Sequence, residues 1–525
     1  MAFLLIDALG KDQASNILSA TGAIYVIPFL LFSSSAGILA DRFSKQRLLV
    51  LMKTAEIIVM ILAIFAFANK TPWGCYSLLF ILATHSAMFG PSKYGIIPEL
   101  VTADKVSRAN GLITSFTYLA IIIGTFLASF LTEITNRHFT WIAGFCLLVA
   151  VGGFVSSLFI KKTEPQGSVK KMNIFFVREI YHTLVSCRTQ KHLLPSIFGS
   201  AFFLFIGAFT QLNIIPFAIN SLNLNEVAGG YLFLATALGI AAGSYLGGKA
   251  SRKRIELGLS CLAGTGIALF FILMAFFSTN IYLVTLFLVF IGILGGVFIV
   301  PFDTFIQLNS PDEKRGQTIA AANFLSFAGV LIASISLYLF TQIFDLSSSH
   351  SFGLIGILTL CVTFVLTVRL SDLSLSFLSR KIFHPLLRYE HPHIEAIEKA
   401  SNPVLVLVNG NWLNAFLLLG SVPSAHLLIP TSRTTRKHWF LKLFYSIHFI
   451  PEAQSVEALL NEVKEFQKEG VIPCVLIDKP LLHQPQALLK RIVDFFQRSS
   501  VQFFQLSVEG SSLFSRKTLR ITKVR

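Results

Sequence analysis

Ionisable and strongly polar side chains stand inside runs that are otherwise apolar: Glu56, His85, Lys93, Gln211, Asn213, Asp303, Gln307 and Asn323. Burying such groups at membrane depth is expensive, so each is a candidate for holding a polar solute or relaying a proton. Tyr94 and Asn110 join them as candidate cavity residues. Asp303 and Gln307 are four apart, which places them on one helical face and suits a polar wall. Structural alternatives stand beside these roles: Glu56 can pair with Lys53, His85 can satisfy an interhelical hydrogen bond, and Lys93 can mark the topology of a helix end.

A second constellation is the segment Gly37-x-x-x-Asp41-Arg42-x-x-Lys45-x-Arg47. A glycine permits two helices to approach closely. An aspartate immediately before a cluster of cations can pair with them or cap the N-terminus of a neighbouring helix, where the backbone dipole favours negative charge. Contacts of this kind are suited to a gate, because they are lost as a whole when two packed bodies separate. The six cysteines lie mostly within apolar runs and have no metal-ligand spacing, so neither a metal nor a cofactor is expected. A nucleophile and base are equally hard to find: His393 and Glu398 are five apart but precede the strand that would have to present them.

The elements that position these residues follow from composition. Hydrophobic residues make up 54% of the chain, charged residues 13%, and the mean hydropathy is +0.69. Runs at 24–40, 48–68, 78–89, 118–131, 141–160, 196–218, 231–246, 257–277, 281–300, 319–340 and 352–368 approach the roughly 20 residues that a bilayer core requires, giving about eleven complete spans. The first nine residues are apolar but too short to cross, and read as the last turns of a helix largely missing from the chain, as if the start were placed late. The net charge of +16 could suggest nucleic acid in a soluble protein, but Lys and Arg here fall in alternate connections, at 42–47, 93–108, 161–191, 249–254, 314–315 and 380–381. The intervening connections at 71–74, 220–226, 278–280 and 345–350 hold none, so the basic loops are expected in the cytoplasm.

Two internal echoes divide the chain. Gly37…Arg47 recurs, degraded, as Gly243…Lys253, with Gly247 in place of Asp41. Pro91-Ser-Lys93-Tyr94 with Ala109-Asn110-Gly111 recurs as Pro301-Phe-Asp303-Thr304 with Ala322-Asn323-Phe324. The expected organisation is therefore one transporter half at 1–160, a central cytoplasmic loop at 161–191, a second half at 192–372, and a small mixed α/β domain at 373–525. Strands are expected near 404–408, 471–477 and 502–508 in that last domain, after an amphipathic connector at 373–382.

The Gly37…Arg47 segment resembles the signature loop of the major facilitator superfamily. Within that superfamily, Phe89-Gly-Pro91-Ser-Lys93-Tyr94-Gly95-Ile-Ile-Pro98-Glu99-Leu100, Ala109-Asn110-Gly111-Leu112, and Val300-Pro301…Gln307…Arg315-Gly316…Ala322-Asn323 are similar to the lysophospholipid transporter branch. The resemblance implies an all-α polytopic bundle that moves lysophosphatidylethanolamine and related lipids across the bacterial inner membrane by alternating access. Phe383–Tyr389 and Val404–Ala415 look like the opening of a glycerolipid acyltransferase, as in bifunctional relatives that act on acyl-carrier protein. That family has His-x-x-x-x-Asp where this chain has Gly410 and Ala415, so an inactive domain is implied, one that can still contact an acyltransferase or acyl-carrier protein. Competing readings are an active acyltransferase, an exporter of amphipathic drugs, and a non-transporting remnant.

Overall fold

The computed structural model describes residues 4–5, 14–69, 71–168, 176–224, 226–251 and 255–383, and beyond them residues 385, 416–417, 422, 463 and 465 with seven strand segments. Its helices are α1 (Ala14–Arg42), α2 (Lys45–Ala68), α3 (Pro72–Gly95), the single turn α4 (Ile97–Leu100), α5 (Ala103–Ile134), α6 (Phe139–Leu158), α7 (Phe176–Cys187), α8 (Leu193–Asn220), α9 (Glu226–Ala250), α10 (Leu257–Phe276), α11 (Ile281–Asn309), α12 (Arg315–Tyr338), α13 (Ser348–Arg369) and α14 (Ser371–Leu378). Ten of them among the described residues are long and apolar enough to cross a membrane. The eleventh expected span, 78–89, lies within α3, a 24-residue helix that falls short of those ten in apolar character. His85, Ser92 and Lys93 interrupt it.

Helices in lipid gain no hydrophobic energy from each other, so small residues that bring backbones together decide the packing. The α9–α11 crossing shows this. A Cβ built on Gly243 would lie 1.9 Å from the carbonyl oxygen of Ile293, and one on Gly292 would lie 2.1 Å from that of Thr236. Gly239 and Gly296 are similarly confined, at 2.5 Å from the Val289 oxygen and 2.3 Å from the Ser244 nitrogen. In the first half α1 packs on α3 and α2 on α6; in the second α9 packs on α11 and α8 on α12. The halves meet through α1 with α12 and α5 with α9. Leu4 and Leu5 are helical and buried against Cys75 and Phe139, at the end away from the basic loops.

The stretch at 161–191, expected to be a loop, contains the 12-residue helix α7. Its buried Ile180 and Cys187 mark one apolar side, and Leu184 and Cys187 join Leu193, Ile197, Ile306 and Ile319 in one cluster. Helix α7 touches α1 of the first half and α12 of the second.

Contacts divide the chain into two compact units, Met1–Ile255 with Leu262–Val362, and Glu256–Cys261 with Thr363–Arg525. In the second unit, the expected connector is α14 followed by a π turn at Ser379–Phe383. The Arg380 guanidinium donates to both oxygens of Glu256, at 2.6 and 2.7 Å, and Phe377 packs on Gly258. Seven strands follow: β1 (Tyr389–Glu390), β2 (Pro403–Val408), β3 (Ala425–Thr431), β4 (Ile447–Pro451), β5 (Ile472–Ile477), β6 (Gln502–Glu509) and β7 (Lys517–Val524). They form one sheet in the order β1-β7-β6-β2-β5-β3-β4, parallel except for β6 against β7. Val404, Leu405, Val406 and Leu407 are all buried, as continuous apolar strands of parallel sheets are. Strands β2, β5 and β6 fall where the sequence places them; β3, β4 and β7 carry proline, histidine or basic residues that hide their periodicity. Gly410, Ala415, His393 and Glu398 lie outside the described residues, as do 478–480.

Candidate functional site

Asp41 sits in the last turn of α1 and is fully buried. Its Oδ1 accepts from the backbone N–H of Gly316 at 2.6 Å. Its Oδ2 accepts from the backbone N–H of Gln317 at 3.0 Å and from the Gln317 side-chain amide at 3.1 Å. Gly316 and Gln317 open α12, whose first amides have no partner inside the helix, so a carboxylate from one half caps a helix of the other. Each hydrogen bond to a charged group contributes on the order of 1.5–3 kcal/mol, and the positive end of the helix dipole adds to it. Gly37 makes room: a Cβ there would lie 2.7 Å from that of Ala320 and 2.8 Å from the Gly316 oxygen.

The cations of the signature segment do different things. Lys45 is fully buried and bonds Glu99 Oε1 at 2.6 Å, joining the start of α2 to α4. Removing either partner would strand a buried charge, a loss of about 3–5 kcal/mol. Gln166 donates to the same oxygen at 3.3 Å, and Thr163 accepts from the Gln46 backbone at 3.3 Å, so the central linker is fastened across this loop. Ser44 caps α2 by accepting from the Arg47 N–H at 3.4 Å, and the Arg47 side chain is exposed. Arg42 is half-buried.

A second tie between the halves lies on α5 and α11. Asn110 and Gln307 exchange amide hydrogen bonds of 2.9 and 3.0 Å, and Asn110 also donates to Thr304 Oγ1 at 3.2 Å. Arg315 donates to the Gln307 carbonyl at 2.7 Å and pairs with Asp312, which holds the end of α11 against the start of α12. Beside this tie, Gly111 meets the backbone of Ser244 and Gly248, where a Cβ would be 2.6 Å from the Ser244 oxygen. The end of the bundle that carries the basic connections is thus closed by α1–α12 and α5–α9 contacts.

Next to this seal is a cavity of about 270 Å³ lined from both halves. Tyr94, Thr114, Thr117 and Tyr118 come from α3 and α5; Ser200, Asp303, Gln307, Asn323 and Phe327 come from α8, α11 and α12. Asp303 accepts from Ser200 Oγ at 2.9 Å. Phe327 stacks on Phe29 of α1, with ring centres 3.7 Å apart. Of the candidate residues, Tyr94, Asp303, Gln307 and Asn323 line the cavity, and Asn110 ties down Gln307. Lys93 is adjacent: its ammonium donates to Thr117 at 3.1 Å and lies 5.1 Å from the centre of the Tyr94 ring.

Four candidates are elsewhere. Glu56 pairs with Lys53 at 2.6 Å, one turn away on α2, and Gln211 is on the exposed surface of α8. Helical phase places them there: an apolar run does not reveal which of its faces looks inward. His85 bonds the Met52 carbonyl at 2.9 Å, and the buried Asn213 donates to the Ser348 carbonyl at 2.9 Å, both as structural ties. Sequence reasoning missed Glu99, Ser200, Tyr118, Thr304 and Gln317. Glu99 had a visible signal, an acid beside Pro98 in an apolar stretch; the hydroxyls had none, since Ser and Thr are ordinary in membrane helices.

Residues 1–334 match the Major Facilitator Superfamily profile. The lysophospholipid transporter LplT of Cronobacter sakazakii is 26% identical over 341 residues, covering 64% of this chain and 80% of the relative. That of Enterobacter sp. is 27% identical over 345 residues, with the same coverage. Among solved structures, the human organic anion transporter MFSD10 superposes with a TM-score of 0.58 at 13% identity over 70% of this chain and 95% of that one. The outward-facing bacterial homologue of the iron transporter ferroportin gives 0.54 at 15% identity over 71% and 94%. The match spans most of the bundle, and the chain belongs to the Major Facilitator Superfamily.

Proposed function

We propose that this chain carries lysophospholipid across a bacterial inner membrane by alternating access, with residues 1–160 and 192–372 as the two moving halves. The reading rests above all on the match to lysophospholipid transporters over 80% of their length. The blocks of sequence that carry the family resemblance supply the Asp41 cap, the Lys45–Glu99 pair and part of the cavity wall. The basic end faces the cytoplasm, by the distribution of Lys and Arg. In the closed arrangement Gly37, Asp41 and Lys45 hold that end shut, and Arg42 and Arg47 keep its loop on the cytoplasmic side. Opening it breaks the Asp41 cap and the Asn110–Gln307 pair together. A cavity of this size accepts a headgroup rather than a whole lysolipid, since pockets that enclose drug-sized ligands run to about 300–1,000 Å³. The acyl chain then lies between helices, in lipid.

The segment 373–525 is a cytoplasmic acyltransferase-like module that retains the sheet and lacks the His-x-x-x-x-Asp dyad, and it serves as a docking site for an acyltransferase or acyl-carrier protein. Thermal unfolding of the purified full chain in detergent tests the transport reading against drug export. Lysophospholipid should raise the midpoint saturably, while amphipathic drugs should neither raise it nor compete. Stabilisation by the drugs and not by the lipid would overturn the proposal.

A further inference from the structure

Helix α7 carries two apolar rows, and the bundle covers one of them. Ile180, Thr183 and Cys187 are buried, and Cys187 packs with Leu184 into the cluster on α8, α11 and α12. Val177, Tyr181 and Val185, at i, i+4 and i+8, form a second row about a third of a turn round the helix. That row is open: Val177 is 57% and Tyr181 62% exposed. Arg178 and His182 are exposed along its flank, with Arg178 Nε donating to His182 Nε2 at 3.4 Å. Among the described residues of the linker at 161–191, Lys161, Lys162, Arg178, Arg188 and Lys191 are exposed, against Glu164 as the one exposed acid. The partners of α7 fix its level. Leu193 opens α8, Ile306 lies in the last turn of α11, and Ile319 lies in the second turn of α12. The helix therefore sits where the spanning helices leave the bilayer, and with 12 residues it is too short to span.

We infer that the open row of α7 docks on an anionic lipid surface, with Val177, Tyr181 and Val185 entering the headgroup boundary and Arg178, Arg188 and the neighbouring lysines meeting lipid phosphates. An apolar row with an aromatic at its centre and cations beside it holds a helix in the interface of an acidic membrane. Charge complementarity selects this partner, since the cations stand at the level of the headgroups and the apolar row would otherwise face water. Helix α7 touches α1 of the first half and α12 of the second, so docking fastens the joint between the halves to the bilayer. None of this depends on what the bundle carries.

The test places a photoreactive benzoylphenylalanine in the full chain, singly, at Tyr181, at the exposed Ser186 on the polar side of α7, or at Leu148, exposed on the spanning helix α6. Each protein is reconstituted in vesicles of phosphatidylcholine alone or of phosphatidylcholine and phosphatidylglycerol in equal parts, and covalent lipid adducts are measured by mass spectrometry. The probe at Leu148 should give one yield throughout, which reports a folded and inserted chain. In anionic vesicles the probe at Tyr181 should exceed the probe at Ser186 about fivefold or more, and neutral vesicles should lower the Tyr181 yield about fivefold, the effect of one cation near an acidic surface. Arg178→Glu together with Arg188→Glu should lower it as far in anionic vesicles, with the Leu148 yield unchanged. A Tyr181 yield no higher than that of Ser186, or equal in the two kinds of vesicle, would overturn the inference. So would Tyr181 adducts to a second copy of the chain in place of lipid.

Discussion

Asp41 does at the level of one side chain what the two halves do as bodies. Its carboxylate collects three donors from the start of α12, all within 3.1 Å and all from the other half. Capping a neighbouring helix was one of two roles the residue type allowed, beside pairing with the basic cluster; which helix it would cap was not legible, because Gly316 is 275 residues away. Asp41→Ala should therefore release the basic end without unfolding the bundle. Cys187 reports on it: the thiol is buried beside α12, and burial raises its pKa, so it alkylates slowly while the end is shut. In a chain with Cys187 as its only cysteine, Asp41→Ala should speed maleimide labelling at least about tenfold, since it removes three hydrogen bonds to a carboxylate and each contributes about 1.5–3 kcal/mol. Asp41→Asn, which keeps one acceptor, should fall between the two. An unchanged rate would show that the cap does not govern opening.

At the level of elements, the apolar runs revealed the helices because length and hydropathy are enough to mark a bilayer span, but which helices approach each other was not legible. Gly239 and Gly243 of α9 meet Gly292 and Gly296 of α11, with backbone atoms where a side chain would stand. Helix α7 was hidden among basic and polar residues, since a short amphipathic helix is visible only once something covers its apolar side. Phase was hidden too: Gln211 and Asp303 are both polar residues in long helices, yet one faces away from the bundle and the other lines its cavity. The glycine contacts can be separated from glycine's general cost. Gly243→Ala should lower the thermal midpoint of the purified protein clearly, because overpacking costs about 1–3 kcal/mol and the new methyl meets the Ile293 carbonyl. Gly207→Ala, where nothing lies within 4 Å, should leave the midpoint unchanged or raise it, as alanine is preferred by up to about 1 kcal/mol inside a helix. Equal effects at the two positions would refute the packing argument.

For the whole molecule, the alternate placement of Lys and Arg and the two internal echoes are the sequence features on which we propose the division into halves. Closure at one end and a polar cavity behind it were not legible, being properties of how the halves meet. That arrangement has one consequence which does not depend on any single residue: a lysolipid loaded from the far side must cross when the basic end opens. The direct measurement uses the purified full chain in proteoliposomes, with labelled lysophosphatidylethanolamine added to the outer leaflet and later extracted with albumin. The account predicts that a growing share becomes protected from albumin in time, that empty liposomes show no such protection, and that Gly37→Leu, which wedges α1 from α12, abolishes it. Extraction that stays complete, with the protein folded and correctly inserted, would contradict it.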